Sequence, residues 1–207
     1  MLTWLAAHWA ETLGFVTGAA CVILAARRSI WNFPIGIANN LVFIGLFAVS
    51  GIYANVGLQV IYLVLGVHGW LNWHAGRDAP TFVLSTPRRA IVPLAIAALA
   101  MFGVLFWILS AYTDSTVPVA DAATTAGSLA AQYMLNRRWL ANWFVWIVVD
   151  VAYVAMYLAT GLTITAALYV LFIGLCIWGY HGWRTHRTLV EHERAGGTVA
   201  HAQQTDV

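Results

Sequence analysis

Lysine is absent from this chain of 207 residues, and charged residues of all kinds make up 9% of it against 61% hydrophobic. Soluble domains average about 25% charged and roughly 45–50% apolar. A soluble fold of this composition would expose apolar patches far larger than the few hundred Å² found on monomers. An ordinary soluble enzyme and a disordered chain are excluded on that ground. Ten arginines and eight acids leave a net charge of +2, spread along the sequence, which excludes a nucleic-acid binder. Cysteine is scarce too. Cys21 and Cys176 both lie inside apolar stretches, so neither a disulfide framework nor a zinc site is indicated. His68 and His74 are spaced too widely to share a helix face and make a poor metal pair. No Walker-type phosphate loop occurs, so the chain is not expected to hydrolyse ATP. No Ser or Cys has an arranged His or acid partner for nucleophilic catalysis. Neither a cofactor nor a bound metal is expected. Met1 to Ala10 holds no Arg or Lys, so a cleavable signal peptide is not expected. What the chain has instead is 11 tryptophans and long apolar runs, the composition of an integral membrane protein.

A helix needs about 20 apolar residues to cross the hydrocarbon core. Seven runs are read as crossing helices, at 12–27, 33–50, 52–73, 90–111, 121–136, 141–160 and 163–183, the first short and somewhat polar. The breaks between them are physical stops. Arg27-Arg28 and Arg137-Arg138 are charge pairs, and Gly51 and Gly161 stand where helices end. The longest polar connection contains Pro80 and Pro87. All ten arginines follow the first, third, fifth or seventh run and so lie on one side of the bilayer. The positive-inside rule makes that side cytoplasmic, with the N-terminus outside and the C-terminus inside. Residues 185–207 are polar and aperiodic and are expected to form a flexible cytoplasmic tail.

Sliding the sequence along itself by 110 residues aligns its two ends without a gap. Arg27-Arg28 then falls on Arg137-Arg138, Asn32 on Asn142, Asn40 on Asp150, Gly51 on Gly161, Gly69 on Gly179 and Trp73 on Trp183. Shared hydrophobicity does not put a charge pair, a turn glycine and a tryptophan in register. The expectation is a duplication: a first three-helix bundle at 1–74, a loop and linker helix at 75–120, and a second bundle at 121–184. Four crossings separate equivalent points, so the two bundles run parallel. Parallel repeats are a transporter plan in which the substrate site lies near mid-membrane between the halves.

Each candidate helix carries one polar and aromatic stripe at helical spacing. Asn142, Trp146, Asp150, Tyr153 and Tyr157 share a face of the sixth run, matched by Asn32, Gly36, Asn40, Phe43 and Phe47 on the second. The third run offers Asn55, Gln59, Tyr62, Gly66 and Trp73, the fifth Asp121, Thr125, Ser128 and Gln132, and the seventh Thr165, Tyr169, Phe172 and Trp183. Asp150 stands out, because an acid at mid-membrane costs roughly 2.5–3.5 kcal/mol and no arginine lies at its depth. It is open to three roles: a protonated structural acid bonded to a neighbour such as Asn40, a proton relay, or a ligand for a cationic substrate. Trp73, Trp143, Trp146 and Trp183 flank these stripes and suit a flat organic cation through stacking and cation–π attraction. The expected substrate-binding set is Asp150, Asn40, Trp73, Gln59, Gln132, Asn142, Trp143, Trp146, Tyr157 and Trp183.

With these residues in view, the stretch from about 11 to 184 resembles the PnuC family of bacterial vitamin transporters. The resemblance is carried by Trp31-Asn32-Phe33 leading into Asn39-Asn40, and by the segment from Tyr53 to Tyr62 that ends in Gly69-Trp70-Leu71-Asn72-Trp73. In the second half it is carried by Arg137-Arg138, Asn142-Trp143-Phe144-Val145-Trp146, Asp150, Gly179 and Trp183. It implies an all-α membrane protein of seven helices in a 3+1+3 parallel repeat like a full-length SWEET sugar transporter. It further implies facilitated diffusion of nicotinamide riboside across the bacterial inner membrane, with thiamine or another cationic heteroaromatic vitamin as the alternative, and a homotrimer. Two departures touch the substrate: Asp150 stands where many riboside transporters carry Asn, and Tyr180-His181-Gly182-Trp183 keeps only the last Trp of the W-x-x-W pattern.

Overall fold

Charge pairs, glycines and prolines cut the apolar sequence into seven helices in the computed structural model, which describes residues 9–49, 51, 53–77, 79, 81–113 and 117–205. They are α1 (Trp9–Ala26), α2 (Asn32–Val49), α3 (Tyr53–Ala75), α4 (Arg88–Tyr112), α5 (Pro118–Asn136), α6 (Asn142–Ala159) and α7 (Thr163–Thr205). The punctuation works as chain geometry requires. Gly51 and Gly161 take positive φ, 74° and 77°, which a residue without Cβ adopts without strain. Arg28 and Arg138 also take positive φ, 58° and 60°, to turn the chain sharply after α1 and α5. Pro118 opens α5 in the first turn, where its missing N–H is not needed.

Five of the seven, α2, α3, α4, α6 and α7, contain spans long and apolar enough to cross a membrane. Of the other two, α1 is an apolar helix of 18 residues, and only α5 is poor in apolar side chains. In α5 the low apolar content follows from its position. Ala122, Thr124, Ala126, Ser128, Ala131 and Asn136 are all buried there, because α5 packs against α3, α4 and α6. Among the described residues α4 touches only α5 and has no buried residue of its own. An apolar helix thus screens a small-residue, partly polar one from lipid, and α5 need not read as a membrane span.

The remaining contacts close a ring: α1 on α2, α2 on α3, α3 on α5, α5 on α6, α6 on α7, and α7 back on α1. The 110-residue offset recurs in this packing. Trp73 Nε1 donates to Leu135 O at 3.1 Å, and Trp183 Nε1 donates to Ala25 O at 3.0 Å, so each of two equivalent indoles reaches the equivalent carbonyl on the other side of the ring. Asn32 and Asn142 each donate to the carbonyl three residues before them, Ser29 O and Trp139 O, at 2.7 Å. A Cβ at Gly69 would collide with Phe33, and one at Gly179 with Trp143, again equivalent partners.

Two features depart from the sequence expectation. The helix α7 does not stop near 183 but continues to Thr205, through the stretch expected to be a flexible tail. The Arg187–Glu191 pair, spaced i to i+4 at 2.8 Å, supports that continuation. The connection between α3 and α4 is likewise more than a polar loop. Leu84 pairs its backbone with the turn after α5, its N–H donating to Arg138 O at 2.9 Å and its carbonyl accepting from Leu140 N at 3.0 Å. This anchors Val83, which is fully buried, and Phe82, which packs edge-on against both Trp73 and Trp183.

A candidate substrate cavity

The ring of helices encloses a cavity of about 350 Å³, within the size range of small-molecule sites. The polar stripes converge on it as helical spacing requires. From α2 come Asn32, Phe33, Gly36 and Asn40, from α6 Trp143, Trp146, Asp150 and Tyr153, and from α5 Ser128 and Gln132. Tyr62 and Gly66 on α3 and Tyr169, Phe172 and Cys176 on α7 complete much of the wall, with Gly18 and Cys21 on α1.

Asp150 is 5% exposed and lines this cavity. Its hydrogen-bond partner is the thiol of Cys176, at 3.6 Å from Oδ2. Among the described residues the salt bridge is Arg187–Glu191, far along α7, so no arginine pairs with this carboxylate. Gln132 donates from Nε2 to Asn136 Oδ1 at 3.0 Å, and Asn136 Nδ2 donates to Leu65 O at 2.7 Å. That chain ties the Gln132 amide to α3 and fixes its orientation. A second aromatic group sits further from the arginine-bearing turns, where the rings of Tyr153, Tyr157 and Tyr169 lie with centroids 4.6 to 5.9 Å apart.

Of the ten residues expected to bind substrate, Asp150, Asn40, Gln132, Trp143 and Trp146 line the cavity. The other five lie elsewhere. Trp73 and Trp183 are buried beneath it: Trp73 packs edge-on under Phe33 and Trp183 under Trp143, each held by the carbonyl bond described above. Their stripes were read correctly, but they stand too far along α3 and α7 to meet the cavity. Asn142 is fully buried with its amide turned back to Trp139 O, shaping the turn into α6. Gln59 lies outside the lining, and Tyr157 stands behind Tyr153 and Tyr169. Cys21 and Cys176 also line the cavity, and contrary to the expectation that no Cys has an acid partner, the Cys176 thiol meets the Asp150 carboxylate. Nothing in their spacing marks them; only the fold brings Cys176 to Asp150.

A buried carboxylate, aromatic faces and amide groups around one cavity suit a small organic molecule, and among the described residues no three metal-ligating groups cluster. Comparison with known proteins agrees. Residues 8–185 match the family model described as nicotinamide mononucleotide transporter. The riboflavin/roseoflavin transporter RibM of Streptomyces davaonensis is 27% identical over 183 residues, covering 84% of each chain. The nicotinamide riboside transporter PnuC of Escherichia coli is 21% identical over 203 residues, again covering 84% of each. The fold matches the crystal structure of the vitamin B3 transporter PnuC with a TM-score of 0.66 at 21% identity, covering 87% of this chain and 83% of that one. The chain therefore belongs to the nicotinamide mononucleotide transporter family, and is a multi-pass membrane transporter of vitamins rather than an enzyme.

Proposed function

We propose that the protein carries a heteroaromatic vitamin with a pentose-derived chain by facilitated diffusion, nicotinamide riboside being the favoured substrate. The observation that carries this reading is Asp150, a carboxylate buried in the cavity wall with a thiol as its partner. The fixed pyridinium charge of the riboside supplies the missing cation, and Trp143 and Trp146 offer ring faces for stacking and cation–π attraction. Asn40 and Gln132, which also line the cavity, would hold the ribose hydroxyls. Selection by such groups is sharp, because an analogue lacking a hydroxyl leaves buried donors unpaired.

A second reading has its own support. The relative named a riboflavin/roseoflavin transporter is 27% identical to this chain. With a flavin, Asp150 would accept a hydrogen bond from a ring N–H instead of offsetting a charge. The mechanism is the same in both readings. Two three-helix units, 1–74 and 121–184, in a SWEET-like 3+1+3 arrangement with 75–120 between them, rock about the cavity without ATP. The equivalent contacts at the 110-residue offset support it. The arginine-bearing turns face the cytoplasm, with the N-terminus outside.

Calorimetric titration of the detergent-purified protein with nicotinamide riboside, riboflavin and thiamine, repeated for Asp150→Asn, tests the proposal. Saturable riboside binding that weakens at least about tenfold in Asp150→Asn supports the leading reading. Riboflavin binding alone favours the second, and thiamine binding alone moves the substrate to another cationic vitamin. Heat from none of the three would overturn all of them.

A further inference from the structure

The internal repeat lets the cavity be compared with itself. Asn40 and Asp150, Phe33 and Trp143, and Ala25 and Leu135 are pairs at the 110-residue offset, and every member lines the cavity. So do Gly18 and Ser128, Gly36 and Trp146, and Gly66 and Cys176. In each of these last three pairs the first half contributes glycine and the second half a larger side chain.

Packing does not require glycine at two of the three positions. A Cβ at Gly18 would come no nearer than 3.7 Å to Phe172, and one at Gly36 no nearer than 3.7 Å to Cys21 Sγ, both ordinary contacts. Gly69 and Gly179 are different, because there a Cβ would collide with an aromatic ring. Backbone conformation does not require glycine either, since Gly18 and Gly36 sit inside helices without positive φ. Glycine in a helix interior is destabilising relative to alanine. Helical glycines whose Cβ would meet nothing within 4 Å, such as Gly45 and Gly103, stand on exposed faces, whereas Gly18 and Gly36 border the cavity. A second observation points to a ligand in that space. Asp150 is 5% exposed and lines the cavity, and among the described residues its carboxylate has the Cys176 thiol and no cation as partner.

We infer that Gly18, Gly36 and Gly66 form a flat wall against which the planar ring of the substrate lies, and that these positions set which ring sizes are carried. Trp146, the counterpart of Gly36, faces the ring from the second half. The first half thereby provides the space, and the second half provides the groups that hold the ligand: Asp150 and Gln132. This rests on the reading of the cavity as the vitamin site, and its test separates the two.

The full-length wild type is compared with Gly18→Ala, Gly36→Ala, Gly36→Leu and, outside the cavity, Gly45→Ala. The three alanine variants should unfold at or above the wild-type temperature. Affinity for nicotinamide riboside, or for riboflavin if that is the vitamin bound, should fall at least about tenfold in Gly36→Leu and stay unchanged in Gly45→Ala. Unchanged affinity in Gly36→Leu overturns the wall. A second readout needs no vitamin. In a Cys21→Ala background, Cys176 is reacted with dithiodipyridine, a flat heteroaromatic disulfide that forms a mixed disulfide and releases thiopyridone. Gly36→Leu should slow this reaction at least about tenfold while leaving that of the compact methyl methanethiosulfonate within about twofold, because access controls the exchange. Selective slowing supports the wall even if none of the vitamins binds and the proposed substrate falls. Equal slowing of both reagents, or of neither, overturns it.

Discussion

Replacing Trp73 by Phe should destabilise the protein by about 2 kcal/mol and leave vitamin affinity unchanged. The indole N–H of Trp73 donates to Leu135 O at 3.1 Å in a buried environment. That carbonyl also accepts from Arg138 N at 2.8 Å, so removing the indole does not leave it bare. The loss is then that of one net hydrogen bond, about 0.5–1.5 kcal/mol. The smaller ring also opens roughly 40 Å³ beneath Phe33, Phe82 and Trp183, which at about 24 cal/mol per Å³ adds about 1 kcal/mol. Trp183→Phe should cost the same within about 0.5 kcal/mol, because Trp183 makes the equivalent bond to Ala25 O, which likewise accepts from Arg28 N. The two rings lie 5.9 Å apart, so the double variant should depart from additivity. Denaturant unfolding in detergent micelles measures the first quantity and calorimetric titration the second. A Trp73→Phe variant of wild-type stability that has lost vitamin binding would refute this assignment and return Trp73 to the substrate site.

Gly69→Ala and Gly179→Ala should each destabilise by about 1–3 kcal/mol through overpacking, because the new Cβ meets Phe33 and Asn136 in one case and Trp143 in the other; unfolding midpoints check both. Arg28→Gly should be at least about 1 kcal/mol more stable than Arg28→Ala, since position 28 holds φ at 58° and only glycine relieves that conformation. Equal midpoints for the glycine and alanine variants would show that the turn carries no strain.

Much of the fold was legible in the sequence because membrane crossing depends on local composition. The arginine pairs and turn glycines ended helices where the sequence placed them, and the 110-residue register that aligned Trp73 with Trp183 reappears as matched hydrogen bonds. One element was misjudged for lack of knowledge about its neighbours, whereas the low apolar content of α5 fits its place behind α4. The connection after α3 read as a polar loop, yet Val83 and Phe82 pack under the tryptophans because Leu84 pairs with the turn after α5.

The sequence by itself determined the solvent, the helices, the repeat and the face each helix turns inward, since these follow from hydropathy and the 3.6-residue period. It therefore placed Asp150, Asn40, Gln132, Trp143 and Trp146 in the wall of one cavity. Depth along each face was decided only by tertiary packing. Trp73 and Trp183 share stripes with Tyr62 and Phe172, but 11 residues along a helix is about 16 Å, which carries them below the cavity and into contact with the opposite half. The meeting of Cys176 with Asp150, and of three glycines with three larger side chains across the cavity, likewise depends on how helices distant in sequence pack. Periodicity fixes angle about a helix axis; only contact between helices fixes which depths meet.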